Sequence, residues 1–234
     1  MKRRIILKKV LSLMLIVMMV LAIRTVVIYD RALMAEDDVT TDLIDSDCFI
    51  KGKEFSTVLY SDGFVYGGGA NGLYRINSED GSYIEILNGD VSFRLVRGIV
   101  QTENGLLWIG HNEGVSGIEG VRERDVQEDR DMEPLELGAY EGIVVEVINE
   151  NNGMDDPRIN DLKLHKNKLY AATYGGVGII SGFDSDTKTV QWIDRDQGLI
   201  MDITKTVLVD SKNRLWCGSY TSVGGGVSSV SYTH

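Results

Sequence analysis

The sequence predicts an all-β protein of about four repeated antiparallel blades, preceded by an N-terminal apolar helix. Three observations predict this class. A basic flank and an uncharged run begin the chain, and short apolar runs separated by Gly, Asn and Asp replace helical periodicity afterwards. One strand-turn-strand pattern then recurs four times, with only two prolines in the whole sequence.

The N-terminal segment has the charge pattern of an export signal. Residues 1–9 carry five Lys or Arg, and the uncharged run that follows reaches residue 28 when the Arg24 side chain snorkels to the far interface. We predict a cytoplasmic flank at 1–9, a signal-anchor transmembrane helix at 10–28, an extracytoplasmic linker at 29–50 and a repeat domain at 51–232. The alternative is a secreted protein, cleaved near Ala32 or Ala35.

Charge divides the chain close to the end of this segment. Residues 1–31 hold seven Lys or Arg and one acidic residue, whereas the remainder carries 17 basic and 34 acidic residues. An acidic surface repels nucleic acid and anionic lipid, because attraction to phosphate requires clustered Lys or Arg. We therefore expect no nucleic-acid partner, and contact with the membrane through the N-terminal helix.

The chain has two cysteines, Cys48 and Cys217. This number excludes a dense disulfide framework, although an exported protein would be exposed to oxidising conditions. A single bridge is one alternative, and buried free thiols are the state that we favour.

Each of the four repeats has a polar turn, a short strand with one aromatic residue, a Gly-rich turn and another apolar strand. The aromatic residues are spaced by 42, 62 and 46 residues, and they are Tyr66, Trp108, Tyr170 and Trp216. Two of these intervals match the length of a four-stranded β-propeller blade. The longest interval contains an insertion, which we place at the acidic segment 119–136 and predict to be a solvated loop.

The position of the aromatic residue has a physical reason. A blade is a twisted antiparallel sheet, so an aromatic at a fixed strand position fills the wedge between neighbouring blades. We therefore predict that all four are packing residues and structural anchors of the repeat. Glycine supplies positive φ angles at hairpins, and Asn71-Gly72 and Gly175-Gly176 are predicted to be such turns. The predicted blade cores are about 55–87, 93–118, 158–193 and 202–232.

The most specific part of the pattern lies at Asn104–Gly110 and at Asp210–Gly218. These segments resemble the two-component regulator propeller repeat, whose units run from Gly-Leu through an innermost strand to Asp-x-x-Gly-x-Leu-Trp-Ile-Gly-Thr. Asn213 stands where that repeat has Gly, and Cys217 where it has Ile. The resemblance covers the chain from about Phe55 to Val230, and it is weaker in the first and third copies.

The resemblance implies an extracytoplasmic sensing region of a bacterial histidine kinase or diguanylate cyclase. By analogy with that family, the partner is a small-molecule ligand such as a saccharide. The sequence itself contains no kinase or cyclase motif.

Propeller geometry also predicts where a ligand binds. The turns between the second and third strands lie on one face with the connections to the next blade, so their polar and aromatic residues form a rim. The candidate ligand-binding residues on this rim are Asn71, His111, Asn112, Tyr174 and Tyr220.

The sequence offers no constellation typical of catalysis. The three histidines, at 111, 165 and 234, have no partner at metal-ligand spacing, and the Asp-x-Asp pairs at 184–186 and 194–196 lack the remaining ligands of a calcium loop. We therefore predict a non-enzymatic chain with no metal or cofactor. Two alternatives remain: an exported scaffold or adhesion propeller, and a propeller-type carbohydrate-active enzyme.

The fourth repeat is followed by few residues. Val227–Tyr232 is too short for two further strands, whereas a propeller ordinarily closes a ring of four to eight blades. We therefore expect an incomplete ring, a chain that is part of a longer receptor, and self-association through open blade edges. The alternative is a small closed ring that takes an outer strand from residues 43–50.

Overall fold

A computed structural model describes residues 50, 53–89, 91–123, 136–183, 185, 187–222 and 224–231. The predicted flank, the signal-anchor helix and nearly all of the linker, up to residue 49, lie outside these residues. In the described part of the chain, no helix has the length and hydropathy needed to cross a membrane. The described residues form β-strands with two short 3₁₀ helices, which confirms the all-β prediction.

The first blade is a four-stranded antiparallel sheet composed of β1 (Phe55–Ser61), β2 (Phe64–Gly69), β3 (Gly72–Asn77) and β4 (Tyr83–Asn88). A two-residue strand, β5 (Val91–Ser92), pairs with the end of β4. The β1–β2 hairpin turns through positive φ angles at Asp62 (50°) and Gly63 (82°). Gly72 does not have a positive φ, contrary to our prediction; a Cβ there would lie 2.5 Å from the Tyr74 ring.

The second blade is composed of β6 (Gly98–Gln101), β7 (Leu107–His111), β8 (Gly114–Glu123) and β9 (Glu136–Ile148). Strands β8 and β9 continue into both ends of the acidic segment 119–136, and residues 124–135 lie outside the described residues. The extended part of β9 pairs in parallel with β4, for example Leu87 with Glu141. The outer edges of the first and second blades therefore join in one sheet.

The third blade has four antiparallel strands and the fourth has three within the described residues. The strands of the third blade are β10 (Ile159–His165), β11 (Lys168–Thr173), β12 (Val177–Ser181) and β13 (Thr189–Ile193). Those of the fourth are β14 (Thr204–Val209), β15 (Arg214–Thr221) and β16 (Gly224–Ser231).

Two short 3₁₀ helices connect the blades. Glu150–Asn152 precedes β10, the first strand of the third blade, and Arg195–Gln197 precedes β14, the first strand of the fourth. Each begins with a capping box: the N-cap side chain, of Asn149 or Asp194, accepts from the helix backbone. The side chain of Asn152 or Gln197 accepts in turn from the N-cap backbone N–H. Each ends at a glycine with positive φ, 116° at Gly153 and 106° at Gly198. The next residue, Met154 or Leu199, is buried between blades, so this element closes the apolar core from one side.

The apolar core consists of three clusters, and each one lies between two successive blades. Inner strands β1, β6, β10 and β14 neighbour each other in chain order. Tyr66 packs against the cluster between the first two blades, Trp108 lies in the next cluster, and Tyr170 lies in the third. Trp216 is half-buried. It occupies the same strand position, but on the side of the fourth blade where no further described blade packs.

Cys217 is a buried free cysteine in the cluster between the third and fourth blades. Burial raises the pKa of its thiol to about 12. The thiol therefore stays protonated near neutral pH and behaves as an apolar packing group. Cys48 lies outside the described residues.

Candidate functional site

The turns after β2, β7, β11 and β15 lie at one end of the blades, and we call this end the turn face. Because the inner strands run antiparallel to these strands, each inner strand begins at the turn face. Asn112, Tyr174 and Tyr220 occupy equivalent positions in three blades. Each lies four residues after the repeat aromatic of β7, β11 or β15. The turn face is therefore lined by side chains from equivalent positions of different blades.

A pocket of about 590 Å³ opens on the turn face between the first and second blades. Three of the five predicted ligand-binding residues, Asn71, His111 and Asn112, are among the residues that line it. The rest of the lining is Asn88, Val91, Ser92, Phe93, Arg94 and Glu113. The pocket is thus rich in amide side chains, which both donate and accept hydrogen bonds.

His111 forms part of the pocket wall, and its ring is buried. Its Nδ1 accepts a hydrogen bond from the backbone N–H of Glu113 at 3.3 Å, so the ring proton is on Nε2, which lies 2.9 Å from Ser116 Oγ. The ring also packs edge-on against Phe93, with 5.4 Å between ring centroids. Burial lowers the pKa of His111 to about 4, so the imidazole is neutral near pH 7. Both ring nitrogens are occupied by the protein itself.

Tyr174 lies at a second position on the turn face, where cationic side chains surround it. The guanidinium carbon of Arg158 is 4.7 Å from the centroid of its ring, and Lys205 Nζ is 4.4 Å from the centroid. Hydrogen bonds from Arg97 and then from Lys205 hold the pKa of the Tyr174 phenol below its usual value. We call Arg97, Arg158, Tyr174 and Lys205 the cationic cluster; it contains one of the five predicted residues.

The cationic cluster is built on a repeated irregularity of the inner strands. The pairing register shifts at Ser56 in β1, at Asn160 in β10 and at Lys205 in β14, so each of these residues is bulged out of its ladder. Arg97 occupies the same place immediately before β6. A bulge re-aims a side chain, and here it directs one residue from each blade toward the turn face.

These bulge residues also connect each blade to the next one. Ser56 Oγ donates to the backbone carbonyl of Val96 at 2.7 Å, and Asn160 Nδ2 donates to that of Thr204 at 2.8 Å. Arg97 Nη1 donates to Asn160 Oδ1 at 2.9 Å. The turn face is therefore continuous in hydrogen bonding across all four blades.

Asp161 strengthens the junction below the cationic cluster. Its Oδ2 accepts from Thr206 Oγ1 at 2.7 Å and from the backbone N–H of Val207 at 3.1 Å, while Lys163 Nζ lies 2.9 Å from Oδ1. A buried carboxylate with this many donors holds the third and fourth blades in one arrangement.

Tyr220, the fifth predicted residue, is 69% exposed at the end of β15. Within the described residues it belongs neither to the pocket lining nor to the contacts of Tyr174. The same part of the chain contains no group of three His, Cys, Asp or Glu side chains placed to hold a metal ion.

Arg97, Arg158, Asn160 and Lys205 were not among the residues predicted from the sequence. Three of them, Arg97, Asn160 and Lys205, have a regular spacing in the sequence. Each lies ten or eleven residues before the aromatic residue of its repeat. Their residue types differ from blade to blade, so this regular spacing is visible only after the strands are aligned by register.

Comparison with known proteins gives a likeness in structure. No family model matches the chain, and no curated protein matches it in sequence. One similar solved structure is the extracellular domain of a hybrid two-component system, BT3049, from B. thetaiotaomicron. It is 17% identical over 76% of this chain and 21% of that one, with a TM-score of 0.50, and at this identity the likeness shows a shared fold.

Two further solved structures resemble the chain. PorZ, an essential bacterial surface component of the type-IX secretion system of Porphyromonas gingivalis, is 13% identical over 76% of this chain and 26% of that one, with a TM-score of 0.49. The extracellular domain of a one-component system, BT4673, from B. thetaiotaomicron is 16% identical over 78% of this chain and 31% of that one, with a TM-score of 0.39. The chain therefore spans less than a third of the length of each of these structures.

Proposed function

We propose that this chain is the extracytoplasmic ligand-sensing region of a membrane-bound bacterial signalling receptor and performs no chemistry itself. A small molecule, such as a saccharide, binds at the turn face. The basic flank and the apolar run at the N-terminus support a membrane anchor, with the blades outside the cytoplasm. The fold shared with an extracellular domain of a two-component system agrees with this role.

The observation that carries the proposal is that the turn face is assembled from several blades at once. The pocket takes Asn71 from the first blade and Asn112 from the second, while the cationic cluster takes side chains from the second, third and fourth. A ligand that contacts two or more blades stabilises the blade arrangement to which it binds best. Binding is thereby linked to the relative position of the blades, which is what a sensor requires.

The chemistry of the pocket favours recognition over catalysis. Asn71, Asn88 and Asn112 offer amide donors and acceptors, which suit hydroxyl groups. His111, the pocket residue best suited to proton transfer, has both nitrogens engaged by Ser116 and Glu113 and is neutral near pH 7.

Ligand binding by the full chain, purified in detergent, tests the proposal. We expect one class of small saccharide to raise the melting temperature and to be recovered unchanged. The double variant Asn71→Ala/Asn112→Ala should bind it at least about tenfold more weakly, the effect of losing roughly one good hydrogen bond. The exposed pair Asn151→Ala/Gln191→Ala, whose side chains lie outside the pocket lining, serves as the matched control.

The same experiment separates the alternatives. Conversion of the saccharide to a product would support a carbohydrate-active enzyme. Absence of any small-molecule binding, together with retention of the chain on a surface protein or glycan matrix, would support a scaffold or adhesion protein. Protease treatment of intact spheroplasts checks the orientation, since full protection of the acidic segment 119–136 would contradict an extracytoplasmic domain.

A further inference from the structure

Three cations converge on a single aromatic ring in an acidic protein. Arg158 and Lys205 each lie within 5 Å of the ring centroid of Tyr174, at 4.7 and 4.4 Å, and Arg97 is the largest cause of the lowered pKa of its phenol. Their chain positions are far apart, and they reach the ring from the second, third and fourth blades. The fold therefore gathers positive charge here, although the whole chain has a formal net charge of −11.

Of the three cations, Arg158 has a carboxylate partner, whereas the partners of Arg97 and Lys205 are uncharged. Arg158 is paired with Asp156, whose Oδ1 lies 3.0 Å from Arg158 Nε. By contrast, the contacts that the described residues provide for Arg97 and Lys205 are the Asn160 amide and Tyr174. Within the described residues no carboxylate pairs directly with Arg97 or Lys205, so an anion bound beside them would be attracted to both charges.

The lowered pKa of Tyr174 indicates that the electrostatic potential at its phenol is positive. The lowered pKa of its phenol, caused first by Arg97 and then by Lys205, means that the surroundings favour negative charge at this oxygen. An oxyanion placed beside the phenol would experience the same attraction. Arg97 supplies a planar fork of N–H donors and Lys205 a mobile ammonium, a pair suited to bind a carboxylate, sulfate or phosphate group.

Space for the remainder of a ligand lies next to Arg97. A cavity of about 420 Å³ is lined by Arg97 together with Glu54, Phe55, Ser56, Ala70 and Leu95. Glu54 disfavours a second anionic group there, whereas Ser56 and the partly exposed ring of Phe55 suit an uncharged polar body. The anionic group and the neutral body of a ligand therefore have separate places.

We infer that the cationic cluster is an oxyanion-binding site, at which Arg97 and Lys205 hold the carboxylate, sulfate or phosphate group of a small polar ligand and Tyr174 orients it. This inference rests on the proposed function, because it gives the chemical class of the ligand that the turn face senses. It adds residues that lie outside the pocket between the first and second blades.

Calorimetric titration of the full chain in neutral detergent tests the inference. The probes are glucuronate, glucose 6-sulfate and glucose 6-phosphate, with glucose as the uncharged match and inorganic sulfate and phosphate as the isolated groups. We expect at least one charged sugar to bind about tenfold or more tightly than glucose, and added salt to weaken that preference. In the double variant Arg97→Gln/Lys205→Met the charged probe should lose at least about tenfold in affinity.

The matched control is Arg122→Gln/Lys188→Met, which removes the same charge from side chains that pair with Glu141 and Glu146 on the outer strand β9. Its affinity should equal that of the wild type. Should Arg97→Gln disturb the contact with Asn160 and prevent folding, Lys205→Met alone retains the test. Equal affinity for glucose and all charged probes, or full affinity in a folded Lys205→Met variant, would overturn the inference.

These outcomes are distinct from failure of the proposed function. Binding of glucose, unaffected by the variants, would refute the oxyanion site and leave the sensor role intact. Conversion of a bound charged sugar to product would refute the sensor role and leave the oxyanion site intact.

Discussion

The indole nitrogen of Trp216 donates a hydrogen bond to Oδ2 of Asp210 at 2.9 Å. The same carboxylate accepts from the backbone N–H groups of Lys212 and Arg214 through Oδ1, and from Arg214 Nε through Oδ2. The Asp210 carboxylate thus links the turn before β15 to Trp216, the aromatic residue of that strand. In the second blade Thr102 occupies the place of Asp210, and the buried Nε1 of Trp108 has no hydrogen-bond partner within the described residues.

This difference predicts unequal effects of Trp→Phe substitution. Trp216→Phe removes an N–H from a charge-assisted hydrogen bond, so the variant should unfold at a lower temperature than the wild type. Trp108→Phe removes no hydrogen bond within the described residues, and its loss should come from reduced packing alone. Adding Asp210→Asn to each variant separates the two effects by a double-mutant cycle: coupling should appear with Trp216→Phe and be absent with Trp108→Phe.

Asp210 should also contribute to acid sensitivity. The hydrogen bond from Trp216 is the largest cause that lowers the pKa of Asp210 from its ordinary value of 3.8. Because the folded-state pKa is depressed, the stabilisation is present above pH 3.8 and is lost as the pH falls toward the folded-state pKa. Denaturant midpoints measured across this range should fall less steeply in Asp210→Asn than in the wild type, and parallel curves would contradict the assignment.

Truncation to alanine should reveal the packing of the blades. Trp108 is fully buried between the second and third blades and packs edge-on against Phe183, so Trp108→Ala should cost about 3–5 kcal/mol. Trp216 is half-buried, with Arg214 over its ring, and Trp216→Ala should cost about 2–3 kcal/mol, most of it from the lost hydrogen bond to Asp210. Urea unfolding measures both, and a larger loss for Trp216→Ala than for Trp108→Ala would contradict the difference in burial.

Trp108 and Trp216 occupy the same position in the sequence repeat but differ in burial. The repeat pattern predicted the strands and the position of each aromatic, since alternation and turn residues are local properties. It predicted one packing role for all four, but burial depends on whether another blade lies against the residue. Likewise, the parallel pairing of β4 with β9 joins residues more than fifty positions apart, and no local pattern encodes it.

The candidate site divides in a similar way. Asn71, His111 and Asn112 could be placed at one end of the blades because they lie on or next to hairpin turns, whose location follows from the strands. Arg97 and Lys205 lie at the start of inner strands, where a one-residue bulge decides which way a side chain points. A bulge changes the register without changing the apolar pattern that follows it, so its effect appears only in three dimensions.

His111 should make stability depend on pH in a second range. Its folded-state pKa of about 4 lies below the ordinary 6.5, because burial disfavours the charged ring. Stabilisation is therefore complete above pH 6.5 and is lost as the pH falls toward 4, by about 3 kcal/mol in total. His111→Gln should flatten this part of the curve. A slope in His111→Gln equal to that of the wild type would contradict the assignment.

Close approach of the inner strands makes Gly98 irreplaceable. A Cβ at this position would lie 2.4 Å from Leu162 Cβ and 2.6 Å from the Leu162 backbone nitrogen, and backbone cannot rotate away. Gly98→Ala should therefore destabilise the protein by about 1–3 kcal/mol through separation of β6 from β10. Gly224→Ala is the matched control, since nothing lies within 4 Å of a Cβ there and the residue is exposed. Similar unfolding midpoints for the two variants would contradict this packing.

Titration of Tyr174 should report directly on the cationic cluster. The hydrogen bond from Arg97, followed by that from Lys205, lowers the pKa of its phenol, so Tyr174 should ionise at lower pH than an exposed tyrosine. Labelling the tyrosine ring carbons and recording NMR spectra against pH measures this, with Tyr174→Phe identifying the resonance among the ten tyrosines. Arg97→Gln should raise the pKa of Tyr174 toward the ordinary value, whereas Lys188→Gln, which removes an equal charge beside Glu146, should not.

A bound oxyanion neutralises the same cations and adds negative charge, so it should raise the pKa of Tyr174 in the wild type more than in Arg97→Gln. A Tyr174 pKa that is the same with and without Arg97 would mean that the guanidinium does not act on the phenol, and the cluster would lose its principal donor.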